Sequence, residues 1–135
     1  MRVIDTNILV RFIMNDTPSQ AQKVFELFCH ARQNQEKLFV PVVVVMELEW
    51  VLSYSYQLPR DVMLQAMFEI LKLDVLCVEH DQAVFDCLAN ATQNTFDVSD
   101  LLIGYVARAN GCLSCLLYTS PSPRDATLSR MPSSA

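Results

Sequence analysis

Hydrophobic and polar residues alternate at two different periods along this chain, and the switches between them mark its elements. Residues 1–4 read as a short strand. They open the stretch "VIDTNILVRF", whose apolar run is broken by Asp5, Thr6 and Asn7. Residues 18–33 read as a helix, with Thr17 as N-cap, Pro18 at the first helical position, and Ala21, Val24, Phe25 and Phe28 at helical spacing. A second short strand is expected at 38–41. The segment "VVVVMELEWVLSYSY", beginning at Val42, fits either state. Its β-branched valines favour a strand, whereas Val43, Glu47, Trp50, Val51 and Tyr54 fall on one helical stripe, and the length of the segment decides for a helix. Pro59 opens another helix, "PRDVMLQAMFEILKL", in which Met63, Leu64, Met67, Phe68, Ile70 and Leu71 spread around more than one face. Such a helix is either deeply buried or covered by a partner; exposed Met63, Met67, Phe68 and Ile70 would make a lone domain sticky, so some of this helix is expected at a dimer or antitoxin interface. A third strand at 75–78, a helix at 81–90 and a helix at 98–109, stopped by Asn110 and Gly111, complete the pattern.

Strands alternating with helices predict an α/β fold, a parallel sheet with helices on both faces. In such sheets ligands bind beyond the carboxyl ends of the strands, and Asp5 sits at that edge. A length of 135 residues suits one domain, and an apolar content of 52% excludes a disordered tail. No run approaches the roughly 18 apolar residues of a membrane span, and the start lacks a signal-peptide pattern, so a cytoplasmic protein is expected. The five cysteines, Cys29, Cys77, Cys87, Cys112 and Cys115, are odd in number and lie mostly in apolar runs. They read as reduced thiols with no CxxC pairing and without a zinc site. A net charge of −5 would repel nucleic acid from the surface as a whole and favour a basic protein partner.

Several chemistries are excluded by what is missing. With only two glycines, Gly104 and Gly111, neither a dinucleotide-binding turn nor a phosphate-cradling loop can form. His30 and His80 have no HExxH or serine-triad context and read as surface or cap residues. There is no GxSxG elbow. Carboxylates remain. Glu47 and Glu49 lie in an otherwise apolar segment, and Glu47, on the stripe with Trp50 and Tyr54, is the one expected to face the core or its rim. Asp97 and Asp100, three apart in "FDVSDLLIGYVA", share a helix face at its start. Each acid alone has an ordinary reading: a turn residue for Asp5, helix capping for Asp97 and Asp100. Together they offer acids at three apolar boundaries. Carboxylates that converge on one spot need a cation between them, and hard oxygen ligands suit Mg²⁺ or Mn²⁺, which can align a water to attack a phosphodiester.

The motifs "VIDTN", "VMELEWVL" and "FDVSDLLIGYVARANGC", in this order, resemble a PIN-domain ribonuclease of the VapC type, the toxin half of a toxin–antitoxin pair. The resemblance runs from Met1 to about Ser114. It implies a three-layer α/β/α sandwich with a parallel central sheet, PIN-like and Rossmann-like, and a Mg²⁺-dependent endoribonuclease. By resemblance, Asp5, Glu47 and Asp100 match the catalytic metal-site acids, and Asp97 adds a further acid. Thr6 matches the hydroxyl that supports the metal-bound water, and Asn7 the residue that braces the loop. The implied partners are an RNA substrate, a cognate antitoxin and a second copy of the chain in a homodimer. Arg11 is a candidate phosphate contact or a plain surface arginine.

Rival readings stay open. A phosphoaspartate receiver would need an acidic neighbour for Asp5 and a late lysine, but the last lysine is Lys72. A haloacid-dehalogenase-like phosphatase would show an aspartate where Asn7 stands. A PIN domain that only binds an antitoxin is the stronger competitor, because residues 115–135, "CLLYTSPSPRDATLSRMPSSA", depart in composition from everything before them. Back-translated, they resemble a sequencing-library adapter. The domain is therefore expected to span 1–114, truncated at its C-terminus and followed by a non-native tail. Thr119 and Ser120 then stand where the family carries another aspartate, and such a chain is expected to bind Mg²⁺ weakly and cleave RNA poorly.

Overall fold

The computed structural model describes residues 1–15 and 17–112. The chain divides into two compact units, Met1–Asp81 and a second that begins at Gln82. The expectations placed on residues 113–135, including the added strand, the missing aspartate and the adapter tail, lie outside the described residues.

In the first unit, β1 (Arg2–Val3), β2 (Leu38–Val40) and β3 (Leu76–Val78) form a parallel sheet in the order β1-β2-β3. Val3 pairs with Phe39, and Val40 with Val78. Each crossover carries two helices: α1 (Thr6–Met14) and α2 (Pro18–Gln33) between β1 and β2, then α3 (Val42–Trp50) and α4 (Arg60–Leu71) between β2 and β3. This is the expected α/β architecture. The second unit holds most of α5 (Asp81–Ala91) and all of α6 (Val98–Ala109). Its buried side chains include Val84, Cys87 and Leu88 of α5 and Val98 and Leu102 of α6, and the Cys87 thiol lies 3.9 Å from the Val98 carbonyl. Among the described residues no helix is long and apolar enough to cross a membrane.

Local chemistry accounts for most boundaries. Pro18 starts α2 where its missing N–H costs nothing. Beyond α6, Gly111 takes a positive φ of 82° that a side chain would resist. β1 is held to the segment before β2 by a two-pronged pair: Arg2 Nε and Nη2 donate to the Glu36 carboxylate at 2.7 and 2.9 Å. The hydrogen bond from Arg2 lowers the Glu36 pKa below its ordinary value. The contribution of this pair is therefore present above the unfolded carboxylate range and lost as pH falls through the lowered value.

Three expectations need correction. First, the sequence reading places no element between residues 4 and 18, where α1 lies. Asp5 is instead its N-cap: the backbone there is extended, and Oδ1 accepts the Ile8 N–H at 3.2 Å. Helical spacing then buries Thr6, Leu9 and Val10. Second, the stripe Val43, Glu47, Trp50, Tyr54 does not face the core. Val44, Val45 and Leu48 do, followed by Leu52 in the π-helical turn Val51–Ser55 that prolongs α3. In a segment apolar on nearly every side, packing selects the face. Third, Met63, Met67 and Ile70 of α4 are buried, Met67 completely, so this helix is core and not an exposed partner face. Phe68 is half-buried, with the Lys72 ammonium 5.1 Å from its ring centre.

The described cysteines, Cys29, Cys77, Cys87 and Cys112, are free thiols, as expected. The expectation of no CxxC pairing is corrected by the sequence itself: Cys112 and Cys115 stand at that spacing, and Cys115 lies outside the described residues.

Candidate active site

The chain leaves β1 through Ile4, whose N–H still pairs with the Phe39 carbonyl at 3.0 Å, and Asp5 follows at the carboxyl end of the strand. Asp5 caps α1, so its backbone is set by both a strand and a helix. The next residue makes the connection that matters. Thr6 is 5% exposed, and its hydroxyl donates to Glu47 Oε1 at 2.6 Å. That length fits a hydroxyl donating to an ionised carboxylate. Two segments that are 41 residues apart in the chain thus meet through one buried hydroxyl.

Glu47 itself is exposed, whereas Glu49, the acid that sequence spacing ranks second, is half-buried and accepts from the Ser53 hydroxyl at 2.9 Å. Burial therefore does not single out Glu47; the bond from Thr6 does. In this structure the Thr6 hydroxyl holds the Glu47 carboxylate. Thr6→Val should leave the fold intact and lower any activity that needs Glu47 by about 10- to 100-fold, the usual cost of removing a supporting partner. Thr6→Ser should retain it, and parallel rate measurements on the two variants check this.

A residue missed by sequence reasoning supports the same helix. Pro41 at the start of α3 offers no side-chain cap, and the Val42 N–H donates instead to Glu79 Oε1 at 2.8 Å. Glu79 follows β3 directly, and nothing in the local sequence around it signals a helix 37 residues away.

In the second unit, Asp97 is the N-cap of α6, its Oδ1 accepting from the Ser99 N–H at 2.8 Å and the Asp100 N–H at 3.2 Å. This is the ordinary capping role weighed for it above. Asp100 follows at the third helical position, half-buried. Asp97→Ala should cost about 1 kcal/mol of stability, while Asp97→Asn, which keeps the acceptor, should cost much less; thermal unfolding measures both. Asn7 and Arg11 are exposed on α1, Asn7 in its first turn and Arg11 in its last, where a cation suits the helix dipole. His30 and His80 are exposed, in keeping with the surface reading.

Among the described residues no group of three or more His, Cys, Asp or Glu side chains is placed to hold a metal ion. In the first unit the donor chemistry nonetheless fits a hard divalent cation. Asp5 and Glu47 offer carboxylate oxygens, and the Thr6 bond orients one of them.

A family model described as "PIN domain" matches residues 2–119. The chain belongs to the PIN domain family. A "VapC ribonuclease" of Aquifex aeolicus (strain VF5) is 29% identical to it over 79 residues, a stretch that covers 58% of this chain and 58% of that protein. The matched region thus spans just over half of the relative's length. In this PIN domain, Asp5, Thr6 and Glu47 lie at the position where a parallel α/β sheet ordinarily presents its ligand site.

Proposed function

We propose that this PIN-domain chain is an endoribonuclease toxin of the VapC type, which cleaves RNA phosphodiesters with the help of Mg²⁺ or Mn²⁺. The observation that carries the reading is the bond from buried Thr6 to Glu47, which ties a second carboxylate to the strand end where Asp5 stands. Bound at these acids, such an ion would supply a water acidic enough to react near neutral pH and offset charge on the phosphate. The protein's part is positional. Asp5, gripped between β1 and α1, holds its carboxylate at the sheet edge; Glu47 is steadied by Thr6 and by α3, which Glu79 caps. By the family resemblance alone, Asp100 is carried over as a main metal ligand and Asp97 as an additional acid of the same helix. Rigid strand and helix ends are better places for such groups than loops, because the oxygens must be held to about half an ångström.

The same reading supplies a cognate antitoxin as partner, a homodimer as assembly and the cytoplasm as location. The net charge of −5 suits a basic antitoxin. The homodimer no longer draws support from α4, whose methionines are buried.

The deciding experiment incubates the purified chain with labelled RNA in Mg²⁺, in EDTA, and with its neighbouring gene product added. Mg²⁺-dependent cleavage that the neighbour suppresses supports the proposal. Tight binding of the neighbour with no cleavage under any condition would mark the chain as an antitoxin-binding PIN domain without activity.

A further inference from the structure

Helix α3 leaves the sheet at Pro41, and this junction is held by a residue from a distant part of the chain. Pro41 gives no side-chain cap, and the first turn of α3 contains no acid. Glu79, half-buried directly after β3, supplies what is missing. Its Oε1 accepts the Val42 N–H at 2.8 Å, and its own backbone N–H donates to the Val40 carbonyl at 2.9 Å. One residue therefore grips the chain on either side of Pro41, which has no N–H to offer. A carboxylate suits this place, because a helix N-terminus presents open N–H groups and favours negative charge.

We infer that Glu79 is a positioning residue for Glu47, acting through α3. The inference rests on the ribonuclease reading, in which Glu47 serves the site, and adds to it the group that aims the helix carrying Glu47. Val42 and Glu47 stand about 7.5 Å apart along the axis at about 1.5 Å per residue. Over that short span α3 is pinned twice, at Val42 by the residue that follows β3 and at Glu47 by Thr6 beyond β1. The strand that feeds α3 is β2, which lies between those two strands. The direction of the helix is thus set from both sides and not by the Pro41 junction alone.

Packing by itself would not do this. Val44, Val45 and Leu48 seat α3 against the core, but apolar contact has no preferred direction, whereas hydrogen bonds do. Glu47 is exposed, so the place of its carboxylate depends on the bonds at the two ends of this span more than on burial. A cap that merely stabilised α3 would lower stability on removal and leave the Thr6 to Glu47 bond and the rate as they were.

The Thr6 hydroxyl is buried and donates to a carboxylate, so its proton, followed by NMR, reads that bond without any reliance on turnover. Glu79→Ala should shift or broaden this signal. In cleavage assays it should lower kcat about tenfold and leave KM nearly unchanged. Glu79→Gln, which keeps an acceptor oxygen, should restore both. In a Glu47→Gln background, Glu79→Ala should cost little further rate, because the charge it positions is gone. Glu79→Asp keeps the charge but shortens the reach, and it gives the same readings should the alanine variant fail to fold. An unchanged Thr6 signal, the same loss of rate in the Glu47→Gln background, or a glutamine variant no better than alanine overturns the inference. Failure of the ribonuclease reading shows separately, as absence of cleavage by the parent, and a Thr6 signal that still depends on Glu79 in such a chain supports the positioning role.

Discussion

Glu47→Gln and Asp5→Asn should each reduce RNA cleavage by at least about a hundredfold, and chelation of divalent cations should abolish it. A supporting partner of a metal site contributes about 10- to 100-fold, and a direct oxygen donor contributes more. Both substitutions keep side-chain shape and an acceptor oxygen. The amide that replaces the Asp5 carboxylate can still cap α1, and the amide that replaces the Glu47 carboxylate can still accept from Thr6, whose hydroxyl is held at 2.6 Å in the parent. What each removes is charge. Circular dichroism and thermal unfolding of the variants should therefore match the parent closely while initial rates collapse. Equal cleavage by parent and Glu47→Gln at saturating Mg²⁺ would falsify the role given to Glu47. The two substitutions combined should cost less than the product of the single effects, because both act on one site.

Leu48→Ala should destabilise the protein by about 2–5 kcal/mol, the range for emptying a fully buried leucine position. Leu48 is 0% exposed and points inward from α3, one residue after Glu47, which is exposed. The substitution removes the methyl groups that seat α3 against the core, leaving a space that the surrounding helices fill only in part. Val43→Ala on the outward side of the same helix, at 68% exposure, should change stability by no more than about 0.5 kcal/mol. Urea unfolding separates the two: the Leu48→Ala midpoint should fall well below that of Val43→Ala, with the dependence on urea unchanged for both. A reversed order would mean that the stripe inferred from sequence, and not the face seen here, is the buried one.

The contrast between these two positions shows how far residues alone could go. The limits of α2 and α6 were legible because their signals are local: a proline at the first turn of one, an aspartate before and a glycine after the other. Fold class was legible from alternation, since a parallel sheet needs a helix between successive strands, whereas the strand order β1-β2-β3 came from the structure. The acids Asp5 and Glu47 could be singled out because a charge at an apolar boundary needs a reason. Tertiary structure decided the rest. Residues 42–52 are apolar apart from Glu47 and Glu49, and the stripe through Val43, Glu47 and Trp50 pointed to the wrong side; in the fold α3 packs against α1, and Val44, Val45 and Leu48 are the buried residues. The apolar spread of α4 pointed to a partner's cover, until Met67 was found fully buried. The ordinary reading of Asp5 was a turn residue, until the Ile8 N–H was seen to meet it as the cap of a helix. The Thr6 to Glu47 and Val42 to Glu79 bonds join residues 41 and 37 positions apart, and such pairs leave no trace in local spacing. Local sequence sets backbone preference and caps over a few residues, whereas the direction of a side chain and the partner it finds are settled only when distant segments pack.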